Sequence, residues 1–447
     1  MGGNVHRMSS LQTLPGFREI YPEDCSRLHH IFRVWRQVAI SFGFQAYETP
    51  VLEPLDLFRA KSGAEIEQQL FSFVDKGGRE VALRPEMTPA LARMVSQRAQ
   101  SLRRPVKWFN IGEHFRYERQ QKGRLRSFYQ FNADVFGEAG PGAEVELVAL
   151  LIRSLTVFGL TQEDFWVRLS DRDLWVHFLA TRGLSGEEIE VVLGIIDKMG
   201  REPREVSAKK IDTLVGDRGT GLFDRIEKLA GVRSMEALES FFAENGTDGQ
   251  SDEIRVRLAD WRVLISGLEA MGLSAFVSID LSIVRGLAYY TGFVFEAFDR
   301  KGKFRSIAGG GRYNHLVGKL GGPELPATGF AIGDVVLQDL LEDRGLSPKI
   351  VSGPEFYVVA SGEAERGEAL ADISALRGAG YSVEYPLRAA GFGKQFKAAG
   401  QSGARFSLIY GSEELGRGMV KARNMADGSE QEIPRNHLLE AVRDLRG

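Results

Sequence analysis

Residues Gly112 to Gly137, GEHFRYERQQKGRLRSFYQFNADVFG, make two alternating stretches around a basic loop, and no other segment restricts the fold so narrowly. A strand turns successive side chains to opposite faces. The second stretch therefore puts Gln130, Asn132 and Asp134 on one face and Tyr129, Phe131, Ala133 and Val135 on the other. In the first stretch Arg116 and Glu118 share a face, with Phe115 and Tyr117 opposite. Paired as a hairpin, the two gather arginine and carboxylates on one surface and leave an apolar back for a core. The connecting loop holds Arg119, Lys122, Arg124 and Arg126, with Gly123 available for a turn at positive φ. An arginine-led hairpin of this kind suits a nucleotide.

Composition sets the frame around that hairpin. At roughly 150 residues per domain, a chain of 447 residues is expected to make about three domains, and 43% hydrophobic content is ample for real cores. Lys+Arg of 57 against Asp+Glu of 60 gives a net charge of -3, so any nucleic acid must be met by a local basic patch. Cys25 is the only cysteine, which excludes an intramolecular disulfide and a cysteine-rich zinc site and fits a reducing compartment. No apolar run approaches the ~18 residues of a membrane span, and MGGNVHRMSS at the start lacks the apolar centre of a signal peptide. A cytoplasmic location is therefore expected.

Leu28, Ile31, Phe32, Trp35, Val38, Ala39 and Phe42 recur at helical spacing, so Pro22 to Phe42 reads as an amphipathic helix that Gly43 ends. Pro50 then marks an edge or interface position in an extended segment. Strand-like runs at Val106 to Arg119, Ser127 to Phe136, Phe276 to Asp280, Tyr289 to Phe298 and Phe304 to Ala308 suggest one large antiparallel sheet with helices around it. Between them, Asp171 to Gly249 is dominated by helical periodicity and reads as an inserted module. Ser185-Gly186-Glu187-Glu188 is a capping box within it, and Asp252 to Met271 should return the chain to the sheet as a helix. RGLSPKIVSGP, Arg344 to Pro354, has a linker's composition. Beyond it, strands at Phe356 to Ala360, Ser382 to Tyr385 and Phe406 to Tyr410 alternate with helices at Glu365 to Arg377 and Lys394 to Ala399. A last helix, His437 to Leu445, completes a small βαβ-type domain.

Three further constellations could do chemistry. In LRPEMTPALARMV, Glu86 and Thr88 bracket a helix start, where a carboxylate could hold an ammonium group; helix entry with Pro85 near the first position explains the same residues without a ligand. Arg285 stands alone in the apolar and aromatic stretch Ile283 to Gly292, which calls either for a carboxylate partner inside the protein or for an anionic ligand. AGGGRYNHLVGKLGG, Ala308 to Gly322, permits close approach of backbone to a ligand or a tight bend between strand and helix. It contains neither a dinucleotide fingerprint nor a P-loop. The seven histidines show no metal spacing, and no nucleophile elbow is present.

LRPEMTP, FRYERQQKGRLRSFYQFNADVFG, VRGLAYYTGFVFE and AGGGRYNHLV, in this chain order and over nearly the whole chain, resemble the histidyl-tRNA synthetase family of class II aminoacyl-tRNA synthetases. The resemblance implies an α+β fold: an antiparallel-sheet catalytic core with a helical insertion, and a small α/β anticodon-binding domain at the C-terminus. Mapped on this chain, the catalytic domain is 8–170 and 250–343, the insertion 171–249, the linker 344–354 and the anticodon-binding domain 355–447. Lys394, Gln395 and Lys397 in GKQFKAAGQSGA fit the last of these.

The resemblance further implies ATP-dependent activation of L-histidine and its transfer to the 3′ end of tRNA(His) by a homodimer, with Mg²⁺ accompanying ATP. Arg116 would sit on the ATP α-phosphate and Arg285 would be a second catalytic arginine; Glu118 and Arg124 would also meet ATP. Glu86 and Thr88 would hold the histidine ammonium and Gln130 its carboxylate region. Asp134 and Tyr290 would bracket the imidazole, with Tyr289, Tyr313, Gly309, Gly310 and Gly311 lining the pocket. Arg119, Gln121, Lys122 and Arg126 would face the tRNA acceptor end.

The chain departs from the family at three points. Gly333-Asp334-Val335-Val336-Leu337 replaces G-[LMV]-E-R, so Val336 cannot make the arginine's contact with the ATP phosphate tail, and another basic group or Mg²⁺ is expected to supply it. Ala288 removes a carboxylate from R-G-L-D-Y-Y, and Met87 replaces glycine in R-P-E-G-T. The missing arginine also raises the alternative of a regulatory subunit of histidine biosynthesis, a synthetase paralogue that binds histidine without charging tRNA. Against it stand Arg116, Arg285, Glu86 and the domain from about residue 353, which such a subunit typically lacks.

Overall fold

The hairpin is present: Val106–Phe115 pairs antiparallel with Ser127–Phe136, from Val106 opposite Phe136 to Phe115 opposite Ser127. The computed structural model describes residues 12–62, 64–118, 123–216, 221–245, 252–284, 289–348 and 353–445. By contact the chain divides into two compact units, Met1–Tyr21 with Arg27–Pro348, and Pro22–Ser26 with Lys349–Gly447.

Strands of the first unit are β1 (Gln45–Ala46), β2 (Leu52–Pro54), β3 (Ser72–Val74), β4 (Glu80–Leu83), β5 (Val106–Phe115), β6 (Ser127–Phe136), β7 (Phe165–Asp171), β8 (Val277–Ile279), β9 (Phe293–Asp299), β10 (Ala308–Arg312) and β11 (Ala327–Gly333). Eight of them form one sheet in the order β1-β5-β6-β11-β10-β9-β7-β8. Its interior pairs are antiparallel, and the outermost strands β1 and β8 run parallel to β5 and β7. Strands β2, β4 and β3 make a smaller antiparallel sheet.

The back of the large sheet is the core, as the alternation requires. Phe131, Ala133 and Val135 of β6 join Phe109, Phe330, Ile332 and Phe295 from neighbouring strands in one buried cluster. Among the helices that cover this face are Pro22–Ser41, Gly142–Thr156 and Asp334–Asp343. Pro22–Ser41 begins with proline and the acidic Glu23 and Asp24 in its first turn, ends before Gly43 at φ 77°, and lays Trp35 on Phe131 with ring centroids 5.6 Å apart. Gly142–Thr156 buries Leu147, Leu150, Leu151 and Leu155 completely. Each such side chain contributes about 1.5–3 kcal/mol relative to exposure.

The insertion is helical as expected, with Arg172–Ala180, Gly186–Ile196, Arg204–Val215, Leu222–Ala230 and Met235–Asn245, and the Ser185–Glu188 capping box closes in both directions. It is not a separate core. Phe178, Leu193, Ile226 and Leu238 belong to the same cluster as Phe131. Asp252–Ala270 then returns the chain to the sheet.

Several strand limits differ from expectation. β5 stops at Phe115 rather than Arg119, β9 starts at Phe293 rather than Tyr289, and the run expected at Phe304 to Ala308 is displaced to Ala308–Arg312. The glycines of AGGGR are thus a central strand and not a bend. A Cβ at Gly310 would stand 2.6 Å from the Phe330 Cβ and 2.8 Å from Phe295, so only glycine lets these neighbours close over the strand. β7, β11 and the three-stranded sheet are additions to the expected set. Arg344, expected to open the linker, belongs to the first unit: its guanidinium reaches Asp164 at 2.9 Å and Asp299 at 2.5 Å.

The second unit contains β12 (Phe356–Ala360), β13 (Val383–Glu384), β14 (Phe406–Tyr410), β15 (Met419–Asn424) and β16 (Glu430–Pro434) in the order β13-β12-β14-β15-β16. The parallel part, β13-β12-β14, is the expected βαβ unit, and the antiparallel β15 and β16 extend it. Helices Glu363–Gly378, Phe392–Ser402 and Leu438–Leu445 answer to the three expected ones. Gln395 is buried and bonds both ways to Ala360 of β12, which ties its helix to the sheet.

Candidate active site

The polar face of the hairpin is the floor of a cleft of about 520 Å³ in the first unit. Register explains its shape. Asp134 lies opposite Gly329 of β11, which lies opposite Gly311 of β10; Asn132 lies opposite Ala331 and then Gly309; Gln130 lies opposite Gly333. Across three strands the side chains on this face are polar on β6 and absent or minimal on β11 and β10. The floor therefore carries no bulk at Gly309 and Ala331, while Asp134 fills the space over Gly329, and Val294 and Tyr290 fill that over Gly311, which does not line the cleft.

One end of the cleft is built around Asp134, which is 4% exposed. A Cβ on Gly329 would collide with its carboxylate, so the glycine makes room for the aspartate. The Tyr313 hydroxyl donates to Asp134 Oδ1 at 2.5 Å. Burial, and then the Asp134 charge, push the Tyr313 phenol well above its ordinary value and fix it as the donor. Tyr47 is raised likewise, first by burial and then by Asp134. Tyr289 and Tyr290 pack together with centroids 4.6 Å apart, and Tyr289 meets Tyr313 edge-on at 6.2 Å. The result is a buried carboxylate within an aromatic wall, suited to a flat ring bearing N–H donors.

Glu86 and Thr88 both line the same cleft. The helix begins at Thr88 and runs to Arg98, so the proline in its first turn is Pro89, and Glu86 and Pro85 stand before it. Met87 points into the core and accepts a bond from the Thr49 hydroxyl at 3.8 Å. Arg84, the arginine of LRPEMTP, is buried and donates to Glu48 at 2.6 Å, to the Thr49 carbonyl at 2.9 Å and to the Glu113 carbonyl at 2.9 Å. It fastens this turn to the hairpin.

The other end carries the cations. The Arg116 guanidinium lies 5.2 Å from the Phe128 ring and donates to the Pro85 carbonyl at 3.1 Å, which holds it at the cleft edge. Arg124 pairs with Glu118, and both line the cleft. Beneath Arg116, His114 is fully buried, stacks on Phe128, and has ring nitrogens with no well-formed hydrogen bond. Burial first, then the nearby Arg84 and Arg116, hold its value well below the usual histidine range.

The segment before the first helix braces this end from outside the cleft. The Gly16 carbonyl accepts from Arg126 N at 2.9 Å and Ser127 N at 3.2 Å, while Phe17 packs on Phe71 and Phe115. Arg18 then reaches Asp334 at 2.8 Å, and Asp334 also accepts from Tyr129 N at 2.8 Å. Desolvation raises Asp334 despite Arg18 beside it. Val336, two residues along, is 9% exposed and lines the cleft.

Expected residues thus brought together are Arg116, Glu86, Thr88, Gln130, Asp134, Tyr289, Tyr290, Tyr313, Gly309, Glu118 and Arg124. Gly310 is not among them, because it faces Phe295 and Phe330 on the core side. Arg126 is not among the cleft-lining residues: it covers the half-exposed Tyr117 ring at 4.5 Å and donates to the Glu118 carbonyl at 3.3 Å. Arg312 likewise turns away, paired with the buried Glu144 at 2.6 Å. Arg119, Gln121, Lys122 and Arg285 lie outside the described residues. The lining residues not foreseen as ligand contacts include Asn132 and Arg305. Asn132 sits between Gln130 and Asp134 with a buried amide nitrogen that has no hydrogen-bond partner, and Arg305 stands just before β10. The alternation already placed Asn132 on this face; nothing in the local pattern singles out Arg305.

A sheet with this floor and an arginine-led hairpin, joined in one chain to a small α/β unit, is the architecture of solved aminoacyl-tRNA synthetases. The histidyl-tRNA synthetase of Nostoc aligns with a TM-score of 0.81 at 24% identity over 98% of this chain and 100% of that one. The apo histidyl-tRNA synthetase of S. aureus aligns at 0.68 and 22% identity, over 96% and 99%. The family model described as histidyl-tRNA synthetase matches residues 16–334, and that described as an anticodon binding domain matches 355–445. Histidine–tRNA ligase of Opitutus terrae is 54% identical over 98% of this chain and 99% of its own length; that of Halobacterium salinarum is 36% identical over 94% and 95%. The chain belongs to the histidyl-tRNA synthetase family.

Proposed function

We propose that the cleft joins L-histidine to ATP as histidyl-adenylate and that the protein then esterifies tRNA(His). The observation that carries this reading is one cleft with two opposed ends, a buried Asp134–Tyr313 pair at one and Arg116 with Arg124 at the other. The histidine carboxylate attacks the α-phosphorus, forming a P–O bond as pyrophosphate leaves. No base is required, because the nucleophile is already an anion. What limits the step is the meeting of two anions, so Arg116, with Arg285 as the second arginine, lowers the barrier by positioning and by charge neutralisation. In the second step a ribose hydroxyl of the terminal nucleotide attacks the acyl carbon and AMP departs.

Glu86 and Thr88 hold the ammonium, Gln130 the carboxylate region, and Asp134 an imidazole N–H beside Tyr290. A site that hydrogen-bonds both ring nitrogens rejects amino acids lacking them by roughly 10⁴-fold or more. The basic loop with Arg119, Gln121 and Lys122 meets acceptor-end phosphates. Mg²⁺ enters this reading with the ATP phosphates, and no step is routed through it; among the described residues no group of three His, Cys, Asp or Glu side chains stands ready to hold a metal. Homodimer assembly, a cytoplasmic location and the division into catalytic domain, insertion and anticodon-binding domain complete the proposal. No helix among the described residues is long and apolar enough to cross a membrane. The match of 355–445 to an anticodon binding domain favours charging of tRNA over the regulatory-subunit alternative.

Purified protein should catalyse histidine-dependent exchange of pyrophosphate into ATP and should charge tRNA(His). Exchange without charging would turn the assignment to a subunit that does not serve translation; no exchange with histidine, ATP and Mg²⁺ would overturn it.

A further inference from the structure

Val336 occupies the position at which the family places an arginine for the ATP phosphate tail, and the structure brings a different cation to that end of the cleft. In the β10–β11 register Ala308 lies opposite Ile332, and each step back from Ala308 matches a step forward from Ile332. Arg305, three residues before β10, lines the cleft together with Val335 and Val336, which follow β11 in the first turn of the helix Asp334–Asp343. The hairpin loop arrives at the same place, since a Cβ on Gly123 would stand 3.6 Å from Val336 Cγ2. Gln130, opposite Gly333, marks this end of β6, and Asp134 lies four residues further along, about 13 Å at strand spacing. Arg305 is thus at the cationic end and remote from the imidazole pocket.

The loop from Asp299 to Ala308 offers four cations, Arg300, Lys301, Lys303 and Arg305, and the structure distinguishes among them. Lys303 pairs with Asp343 at 2.8 Å, and Arg300 lies over Trp166 while donating to the Ala275 carbonyl. Arg305 is the member of the group that lines the cleft, and it is exposed to an entering ligand. The next residue fixes its departure: the Ser306 hydroxyl donates to the Ala308 carbonyl at 2.9 Å, pinning the chain as it enters β10. Arg124, facing the same space, is already balanced by Glu118. A polyphosphate tail bearing several negative charges needs more cation than that pair supplies, and a guanidinium fork matches phosphate oxygens.

We propose that Arg305 contacts the β- and γ-phosphates of ATP, and the pyrophosphate released from them, in place of the arginine absent at residue 336. The inference rests on the reading of the cleft as an ATP site, and its test is chosen to fail separately. Calorimetric titration of the full chain with ATP and with AMP reads the tail contact without any amino-acid chemistry. Arg305→Ala should lower affinity for ATP about tenfold, the order lost with a charged hydrogen bond, and leave affinity for AMP unchanged. Arg305→Lys should retain an intermediate ATP preference. An unchanged ATP to AMP ratio in Arg305→Ala, or an equal loss of both ligands, overturns the proposal. In pyrophosphate exchange the same variant should raise KM for pyrophosphate and leave KM for histidine as in wild type; a shift confined to histidine also overturns it. If wild type binds ATP over AMP but shows no histidine-dependent exchange, the synthetase reading fails while Arg305 stands.

Discussion

At the Asp134 end of the cleft the carboxylate is buried, clasped by Tyr313 and walled by tyrosine rings, whereas at the Arg124 end the cations are half or fully exposed. The two ends share the same strands, so the difference lies in what surrounds each. A buried acceptor held by a neutral donor is already desolvated before the ligand arrives, and discrimination follows from leaving it unpaired when the wrong side chain enters. Exposed guanidiniums keep their water until a polyphosphate displaces it, and they tolerate changes of position. This explains how one end can lose an arginine at 336 and still gather positive charge from another loop, while the other end depends on a single glycine opposite a single aspartate.

That contrast can be attacked at three points. The largest effect should come from Gly329→Ala, whose methyl would occupy the space of the Asp134 carboxylate. Displacing the carboxylate by about 1 Å should cost roughly a hundredfold in kcat/KM for histidine. ATP affinity should stay near wild type, and parallel loss of both would mean that the ends are not independent. Tyr313→Phe comes next. It removes one hydrogen bond to a charged group, so KM for histidine in exchange should rise about tenfold with KM for ATP unchanged. An unaltered histidine KM would show that the tyrosine merely fills space.

The smallest effect concerns His114, a neutral ring under Arg116. Its folded value is depressed, so below about pH 6.5 the unfolded chain takes up a proton that the folded chain resists. Stability is therefore present above that pH and is lost as pH falls through it, at up to about 1.4 kcal/mol per unit. His114→Phe should unfold in urea with a shallower pH dependence between pH 6.5 and 5 and should be more stable than wild type at pH 5. Identical slopes in the two proteins would show that this histidine is not the group responsible.

Much of this architecture is legible in the chain's own periodicity, and the elements that are not legible share a cause. The hairpin, the Pro22–Ser41 helix, the Ser185 capping box and the βαβ part of the second unit all announce themselves through apolar spacing or local capping chemistry. β10 and β11 do not, because AGGGR and ATGFAIG are glycine-rich and nearly lack the β-branched side chains that usually mark strands. Those strands form because a close-packed sheet and an open floor both need residues without side chains. At the site, β alternation on β6 suffices for Gln130, Asn132 and Asp134. Arg305 could not be picked out among Arg300, Lys301 and Lys303, since its distinction arises only when β10 aligns with β11.

The short stretch from Pro15 to Arg18 carries a consequence for anyone who alters this protein's amino end. Its residues belong to no strand, yet Gly16 receives two amides of the hairpin, Phe17 wedges between Phe71 and Phe115, and Arg18 secures Asp334 at the start of the helix bearing Val336. A trimmed version beginning after Arg18 would therefore behave as a nucleotide-site variant, although every residue named in the cleft would be intact. Affinity tags are better joined ahead of Leu14 than put in place of Pro15 to Arg18.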